Sequence, residues 1–386
     1  MFAMIAFGSD AMLPAFPRIA QDLGLGDVNR AQLVITIFLL GTGIGQLVTG
    51  PMSDSLGRKP VILGGLLLYV AANVMAIFAG SLTMLLIARF IQGLGVSAPR
   101  TVTIAMVRDQ YSGRMMARVM SFAMTLFVLV PAVAPLVGQT LTATFGWRSI
   151  FVAFILFALL GLSWMGLRQP ETHPVEKRRP FRLTTYGAAI REVATSRVVV
   201  TYTIALSLIF GALFAYISSA QQVFVDIFDS GLNFPFYFAG IATLSGGAGI
   251  LNATLVLRFG MRPMATIALG VMFVITLGFT SYLYLSGASP DTYFPIFLLW
   301  SVIAFFVPGL TIGNLNALAM EPMGHIAGMA SAIIGAVSTM FGVLLAIPIG
   351  LAFNGGLLPL LGGALLFYGG AFGLMLTNPK GQNQLE

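Results

Sequence analysis

Long apolar stretches dominate the sequence, and short polar connections separate them. Twelve stretches of helical length lie near residues 1–20, 33–53, 60–80, 82–107, 119–141, 147–167, 198–220, 234–256, 263–285, 293–318, 327–350 and 356–377. A helix of about 20 apolar residues crosses a hydrocarbon core of about 30 Å. The pattern therefore predicts twelve transmembrane helices, with one long connection at residues 168–197.

An internal repeat divides the chain into halves. The string LGRKP at Leu56–Pro60 returns as FGMRP at Phe259–Pro263, 203 residues later, and each copy precedes an apolar stretch. Parallel repeats are typical of transporters whose halves rock about a central site. We expect an all-α integral membrane protein with two six-helix bundles related by pseudo-two-fold symmetry: an N-terminal bundle (1–167), a cytoplasmic linker (168–197) and a C-terminal bundle (198–386).

Composition narrows the functional classes. The chain is 58% hydrophobic and 9% charged, whereas a soluble domain carries roughly 25% charged residues. It has no cysteine, and its two histidines, His173 and His325, lie far apart. Neither a thiolate centre nor a metal-ligand spacing is present, and no phosphate-binding loop joins a strand to a helix. We expect no enzyme activity, metal or cofactor, so transport is expected to use an ion gradient.

The cations predict the orientation of the chain. With both termini on the cytoplasmic side, most cations fall in inner loops, as the positive-inside rule requires. The cations behind the net charge of +7 are thus interpreted as signals of membrane orientation, and no nucleic-acid partner is expected. The basic linker is interpreted as a solvated connector along the membrane surface; a regulatory or lipid-specific site is the alternative. The inner cations are Arg58, Lys59, Arg108, Arg114, Arg118, those of the linker, Arg258, Arg262 and Lys380.

The most specific stretch is GPMSDSLGRKP at residues 50–60, between two uncharged apolar runs. Asp54, Arg58 and Lys59 can pair with neighbouring helix ends, while Gly50 and Gly57 permit a tight turn and close helix approach. The string resembles the motif G-x-L-A-D-x-x-G-R-K between helices two and three of the major facilitator superfamily. An ordinary positive-inside turn is the alternative, but it explains only the two cations.

Asp10 lies midway along the first predicted helix, in the string GSDAMLPAFP. A carboxyl group at that depth can bind a proton on one side of the membrane and release it on the other. The string resembles D-x-x-L-P-A-x-P in the Bcr/CflA-type drug:proton antiporters of the superfamily. That resemblance implies a role for Asp10 in proton coupling and, with Met12 and Leu13, in substrate binding. A structural acid satisfied by a neighbour or by water is the alternative. Pro14 and Pro17 are expected to bend the outer half of this helix.

Two arginines lie within the fourth predicted helix. Arg89 and Gln92 belong to the string RFIQGLG, which resembles the superfamily's R-x-x-Q-G-x-G motif. The resemblance implies that they tune the proton site; an arginine reaching outward to the membrane surface is the alternative. Arg100 is three helical turns further on, about 16 Å nearer the cytoplasm. It is expected either to contact a polar or anionic substrate or to pair with an acid at the inner surface.

The fifth predicted helix carries the string PAVAPLVG, in which Pro131, Pro135 and Gly138 combine backbone interruptions with small residues. Such a helix is pliable and allows another helix to approach closely. The string resembles the antiporter motif of drug exporters in its P-x-x-A-P-x-x-G form. Pro131 and Ala134 replace glycines of that motif, and a generic kinked helix is the alternative.

The C-terminal half supplies aromatic and amide side chains on its first and fourth predicted helices. In the superfamily these helices line the central cavity, so the resemblance implies that these side chains contact substrate, although many aromatic residues in such helices only pack against neighbours or face lipid. An apolar, aromatic cavity with one carboxylate favours lipophilic compounds over sugars. The candidates are Phe210, Phe214, Tyr216, Trp300, Phe305 and Asn314.

Together these features predict a proton-coupled exporter of lipophilic drugs in a bacterial inner membrane. It is expected to act as a monomer on small drug-like substrates, protons being the coupling ion and membrane lipid its surroundings. Two alternatives remain open from the sequence. One is a proton-coupled exporter of a specific metabolite, such as a sugar or an amino acid. The other is a sensor or assembly factor that derives from a carrier and transports nothing.

Overall fold

The computed structural model describes residues 3–111, 113–178 and 183–377, and throughout these residues the regular structure is helical. The α-helices are, in chain order, α1 Met4–Asp10, α2 Phe16–Asp22, α3 Leu33–Leu56, α4 Arg58–Ile77, α5 Leu82–Gln110, α6 Gly113–Phe145, α7 Arg148–Arg168, α8 Leu183–Thr195, α9 Arg197–Gln222, α10 Phe234–Ser245, α11 Gly247–Phe259, α12 Met261–Ser286, α13 Pro290–Met320, α14 Ala327–Leu351 and α15 Leu358–Thr377.

These helices form the twelve predicted membrane spans. Helices α1 and α2 together make the first span, α10 and α11 make the eighth, and α8 belongs to the linker. Several spans contain a stretch of at least 18 residues that is apolar enough to cross a membrane, and residues 290–351, which hold both α13 and α14, form one such helical segment. We call the end of the bundle that carries Gly57 and the linker the inner end, and the end that carries Val28 the outer end.

The first span is broken rather than continuous over residues 1–20. Helix α1 ends at Asp10, a short 3-10 turn covers Leu13–Ala15, and α2 begins at Phe16. Pro14 and Pro17 have no backbone N–H to donate to the preceding turn, so a regular helix cannot pass through them. The bend expected from the prolines is present, and it lies immediately after the buried acid.

The predicted turn between the second and third spans is shorter than the sequence indicates. Helix α3 continues through Pro51 to Leu56, and α4 starts at Arg58. Only Gly57 separates them, with φ of +104°. Side chains disfavour that backbone conformation, so glycine is needed at this position.

The linker also departs from the solvated connector that we expected, because it contains helix α8. Ala189 and Val193 on this helix are buried, with 3% and 6% of their surface exposed. The Tyr186 hydroxyl donates to the Leu47 carbonyl of α3 at 2.8 Å. His325, between α13 and α14, lies 2.8 Å from the Glu192 carboxylate. Helix α8 therefore contacts both halves at the inner end. Arg179 and Arg182 lie outside the described residues.

The two halves meet along two helix pairs. Helix α3 packs on α14, and α6 packs on α10. Within the N-terminal half, α3 and α5 approach so closely that a Cβ at Gly93 would lie 2.7 Å from the backbone nitrogen of Thr42. This close packing of small residues, typical of helices in lipid, brings the polar side chains of α5 next to α1 and α3.

Candidate functional site

Asp10 is a buried acid at the last position of α1. Its side chain is 4% exposed, and its Oδ1 accepts a hydrogen bond from the Ser9 hydroxyl at 2.7 Å. No cationic side chain in the described ranges lies within ion-pair distance of it. A carboxyl group in such surroundings requires either a counter-charge or a bound proton. The position therefore suits a group that exchanges a proton or a cation.

The neighbouring residues of the first span are equally enclosed. Met12 and Leu13, the predicted substrate contacts beside Asp10, have no exposed surface. Across from them, a Cβ added at Gly138 of α6 would overlap the Ala11 carbonyl oxygen and lie 2.8 Å from its carbon. Gly138 therefore lets α6 touch the backbone directly beside Asp10. Helix α6 runs through Pro131 and Pro135 without ending.

Arg89 is fully buried and is held by backbone carbonyls. Its Nη2 donates to the Gly8 carbonyl at 2.8 Å, and its Nε donates to the Val34 carbonyl, also at 2.8 Å. The guanidinium lies 4.2 Å from the centre of the Phe38 ring. The structure thus places Arg89 inside the N-terminal half, where it joins α1, α3 and α5, and not at the membrane surface.

A chain of amides extends from Arg89 toward α4. Arg89 Nη1 donates to Gln92 Oε1, and Gln92 Nε2 donates to Asn73 Oδ1 at 2.7 Å. Asn73 in turn donates to the Tyr69 carbonyl at 2.7 Å. Sequence reasoning missed Asn73, although a lone amide within an apolar span was the signal that could have identified it. The chain connects the backbone beside Asp10 to the third span.

Arg100 lies in the inner half of α5 and is partly buried. Of the acids that the structure describes, none is within 4 Å of its guanidinium. The predicted pairing with an acid of the inner surface is therefore not seen. Contact with substrate stays a prediction for this residue.

Two of the aromatic candidates pack between helices of the C-terminal half. The indole of Trp300 is 2% exposed and donates to the Thr276 hydroxyl of α12 at 3.1 Å, so it points toward α12. Tyr216 packs against Trp300 and, edge to face, against Phe305. This location suits packing inside the bundle, and contact of these side chains with substrate stays a prediction.

The remaining candidates, Phe210, Phe214 and Asn314, contact neighbouring side chains or helices that the sequence did not predict. Phe210 and Phe214 stack with ring centres 5.4 Å apart on α9. Asn314 of α13 donates to Asn252 Oδ1 of α11 at 2.7 Å. Phe210 lies against Gly342 of α14. Their contact with substrate stays a prediction.

Amide side chains join the two halves at the outer end. Asn29 Nδ2 donates to the Phe353 carbonyl at 2.8 Å, and Gln222 Nε2 donates to Asn29 Oδ1 at 2.8 Å. Gln32 Nε2 donates to Gln222 Oε1 and to the Gly350 carbonyl. The bonds close the outer ends of α3, α9 and α14 against one another. The sequence analysis missed them because each pairs residues roughly 190 or more positions apart.

The gating candidates of the first inner turn form a charged cluster. Arg58 is 3% exposed and pairs with Asp54 at 2.5 Å and with Asp109 of α5 at 3.1 Å. Lys59 donates to the Gly166 carbonyl at the end of α7 at 2.8 Å. A Cβ at Gly50 would meet only Ala332 of α14, at 3.8 Å. The predicted pairing of these charges with neighbouring helix ends is present, and Asp109 is the partner that the sequence did not reveal.

Glu171 of the linker binds the start of α4. The backbone N–H groups of Arg58 and Lys59 donate to its two carboxylate oxygens at 3.0 and 3.1 Å. A Cβ at Gly57 would lie 2.6 Å from Glu171 Oε2, so glycine also provides the space for this approach. An acid at a helix N-terminus satisfies free N–H groups and complements the helix dipole. Glu171 therefore ties the linker to the first inner turn.

The surroundings of Glu171 change its acidity. Partial burial acts to raise the pKa of its carboxyl group, but four backbone N–H donors together lower the pKa below its usual range. Hydrogen bonds to the charged form stabilise that form, which is why they outweigh the burial. The donors belong to His173, Arg58, Lys59 and Thr172.

We expect Glu171→Gln to lower the thermal unfolding midpoint in detergent by about 1–3 °C at pH 7. Because the folded pKa is depressed, the carboxylate stabilises the fold above its ordinary pKa of about 4.3, and this contribution is lost as the pH falls through the lower folded value. The difference between variant and native chain should therefore shrink in acid. Glu176→Gln, at an exposed acid of the same linker, is the matched control. Equal losses for both variants, or a loss independent of pH, would contradict the assignment.

Three comparisons relate this arrangement to known proteins. The sequence profile of the Major Facilitator Superfamily matches residues 1–347. A bicyclomycin resistance protein homolog of Haemophilus influenzae is 31% identical over 342 residues, covering 88% of this chain and 84% of that protein. Multidrug resistance protein D of Escherichia coli is 27% identical over 365 residues, covering 87% and 84%. The crystal structure of a D-xylose-proton symporter superposes with a TM-score of 0.73 at 16% identity, over 97% of this chain and 93% of that one.

Proposed function

The chain belongs to the Major Facilitator Superfamily, and from that premise we propose that it exports lipophilic, drug-like compounds across a bacterial inner membrane in exchange for protons. As a member of this family it is a multi-pass membrane transporter and not an enzyme. The drug-resistance names of its relatives support the substrate class. The similarity to the xylose symporter concerns the fold alone.

The observation that carries the coupling step is the isolation of Asp10. Its carboxyl group is buried at the break between α1 and α2, and its one hydrogen-bond partner among the described residues is the Ser9 hydroxyl. Arg89 of α5 donates to the carbonyl of Gly8, two residues before Asp10, and to the carbonyl of Val34 in α3. A shift of α1 on proton binding at Asp10 would therefore be transmitted to α3 and α5. Asp10 is thus placed to couple its protonation to the position of a helix.

The transport cycle follows from one carboxyl group serving two ligands. With the inner end open, deprotonated Asp10 takes drug from the cytoplasm or the inner leaflet. Reorientation carries the drug outward, where protonation of Asp10 displaces it. The protonated carrier returns and releases its proton to the cytoplasm. Because the proton-bound and drug-bound states exclude each other, exchange is obligatory.

The test is drug-induced proton release from energised inside-out vesicles that contain the native chain. A pH-sensitive dye reports the proton gradient while lipophilic neutral and cationic compounds are added in turn; vesicles without the protein are the control. We expect several lipophilic compounds to discharge the gradient only when the protein is present. If no lipophilic compound does so but one metabolite does, the chain is a narrow metabolite exporter. If no compound moves protons at all, the proposed exchange of drug for protons fails.

A further inference from the structure

A cavity of about 530 Å³ lies between the two halves at their outer ends. Its walls come from the break in the first span, from α6, from the end of α9 and from the segment before α10. We call this space the outer pocket. It is lined by Pro14, Pro17, Gln139, Gln221, Val225 and residues 229–234. Cavities of 300–1,000 Å³ are the size that encloses a drug-like molecule.

The outer pocket begins immediately beyond the proton site. Pro14 lies four residues after Asp10 in the first span. Gln139 directly follows Gly138, the residue at which α6 touches the backbone of Ala11. The outer pocket therefore lies on the outer side of Asp10, next to the break in the first span. The amide bonds among Asn29, Gln32 and Gln222 close the outer end at other positions and do not use the lining residues.

One polar atom of the pocket is a buried acceptor without a partner among the described residues. Gln139 Oε1 is buried and forms no hydrogen bond within the described residues. The Gln221 side chain is 4% exposed. A buried amide oxygen without a donor costs free energy, which a ligand with N–H groups recovers on binding. Acceptors of this kind favour a ligand that donates hydrogen bonds.

The charge of the pocket points to a cation. Asp229 contributes a carboxylate, and no Lys or Arg is among the lining residues. The backbone of Asp229 has φ of +45°, and the N–H groups of Asp229 and Ser230 donate to the Val225 and Phe224 carbonyls at 3.2 and 2.8 Å. Aspartate adopts this left-handed conformation more readily than most non-glycine residues. The exposed Asp229 side chain lies on this turn at the rim of the pocket.

From these observations we infer that the outer pocket is a second substrate site, which binds lipophilic organic cations with N–H donors as they leave the carrier. The carboxylate of Asp229 attracts the charge, the oxygens of Gln139 and Gln221 accept the N–H groups, and Pro14, Pro17 and Phe234 form the apolar wall. The inference deepens the proposed function and rests on it for the direction of movement, but not for the binding itself.

The test is ethidium binding to the purified full-length protein, followed by fluorescence. Ethidium is a permanent aromatic cation with two amino groups; chloramphenicol, which is neutral, is the comparison ligand. All variants are made in an Asp10→Asn background, so that binding reports the outer pocket. We expect this background to bind ethidium still. Adding Asp229→Asn should weaken that binding about 3- to 10-fold, an effect that falls at high salt. Asparagine tolerates the left-handed backbone at this position.

Two further variants separate binding from folding. Gln139→Leu removes an unpaired acceptor, so it should weaken ethidium binding while leaving the unfolding temperature of the free protein unchanged or higher. Asp291→Asn removes an exposed acid of the outer end that does not line the pocket, and it should leave binding unchanged. Chloramphenicol is uncharged, so its binding should not respond to Asp229→Asn.

The inference is overturned if Asp10→Asn alone abolishes ethidium binding, or if Asp229→Asn and Gln139→Leu leave it intact. It is also overturned if Asp291→Asn weakens binding as much as Asp229→Asn. These outcomes are independent of the proton-release experiment. A protein that binds ethidium through Asp229 but never exchanges drug for protons would refute the proposed function and leave the outer pocket standing.

Discussion

Replacing Asp10 with asparagine is expected to abolish drug-induced proton release. Asparagine keeps the size and the hydrogen bond to Ser9 but cannot bind or release a proton, so drug binding and proton binding no longer exclude each other. In inside-out vesicles, the initial rate of drug-dependent discharge of the gradient should fall at least about tenfold, equivalent to roughly 1.4 kcal/mol of activation free energy. The measurement compares initial rates for native and variant chains at equal protein content.

Two variants serve as controls for that result. Ser9→Ala removes the one hydrogen-bond partner found for the carboxyl group but keeps the proton site, so exchange should persist, while Asp10→Glu should restore part of the activity. A variant with Asn at position 10 that responds as well as the native chain would place the proton site elsewhere. Arg89 and the amide chain through Gln92 and Asn73 would then be the first groups to study.

Replacing Gly138 with valine is expected to have the second largest effect, after Asp10→Asn, and to impair both stability and proton exchange. A Cβ at this position would overlap the Ala11 carbonyl oxygen and lie 2.8 and 3.0 Å from its carbonyl carbon and Cα. These are backbone atoms, which cannot rotate away, so α1 and α6 must separate. Overpacking of this kind costs about 1–3 kcal/mol. Because the displaced segment adjoins Asp10, we expect a lower unfolding temperature together with a loss of proton exchange.

The matched control for that change is Gly64→Val. Gly64 lies within α4, and a Cβ there would meet no atom within 4 Å. Both substitutions put a β-branched residue into a helix, so the propensity cost is shared and the difference between them reports the contact with Ala11. A Gly138→Val protein with native stability and native proton exchange would show that the close approach of α1 and α6 is not needed.

Some parts of the site were readable in the sequence because their cause is local. Asp10 and Arg89 stand out as charges in apolar stretches, and a charge in hydrocarbon is tolerated only where the protein surrounds it. The structure buries both side chains. Pro14 predicted the bend in the first span for an equally local reason, since it lacks a donor at any position. The role of Asp10 and Arg89 in proton coupling stays a prediction, which the proton-release measurements test.

Other parts depend on how helices are rotated and paired, which a single sequence does not specify. The sequence did not reveal that the indole of Trp300 donates to Thr276 of α12. In the sequence Glu171 is one acid of the linker, and only the fold places it against the first turn of α4. Hydrophobic periodicity is weak in helices that are apolar on every side, so it cannot say which face meets a neighbour.

By itself, the sequence determined the twelve membrane spans, the two halves and the charged inner turn, because hydrocarbon thickness and the cost of burying charge act on each segment separately. Only the tertiary structure decided which polar groups meet. It linked Arg89 to the carbonyl of Gly8 and, among the residues that the structure describes, left Gln139 Oε1 without a hydrogen-bond donor. Such pairs form between residues far apart in the chain, and packing between helices is what selects them.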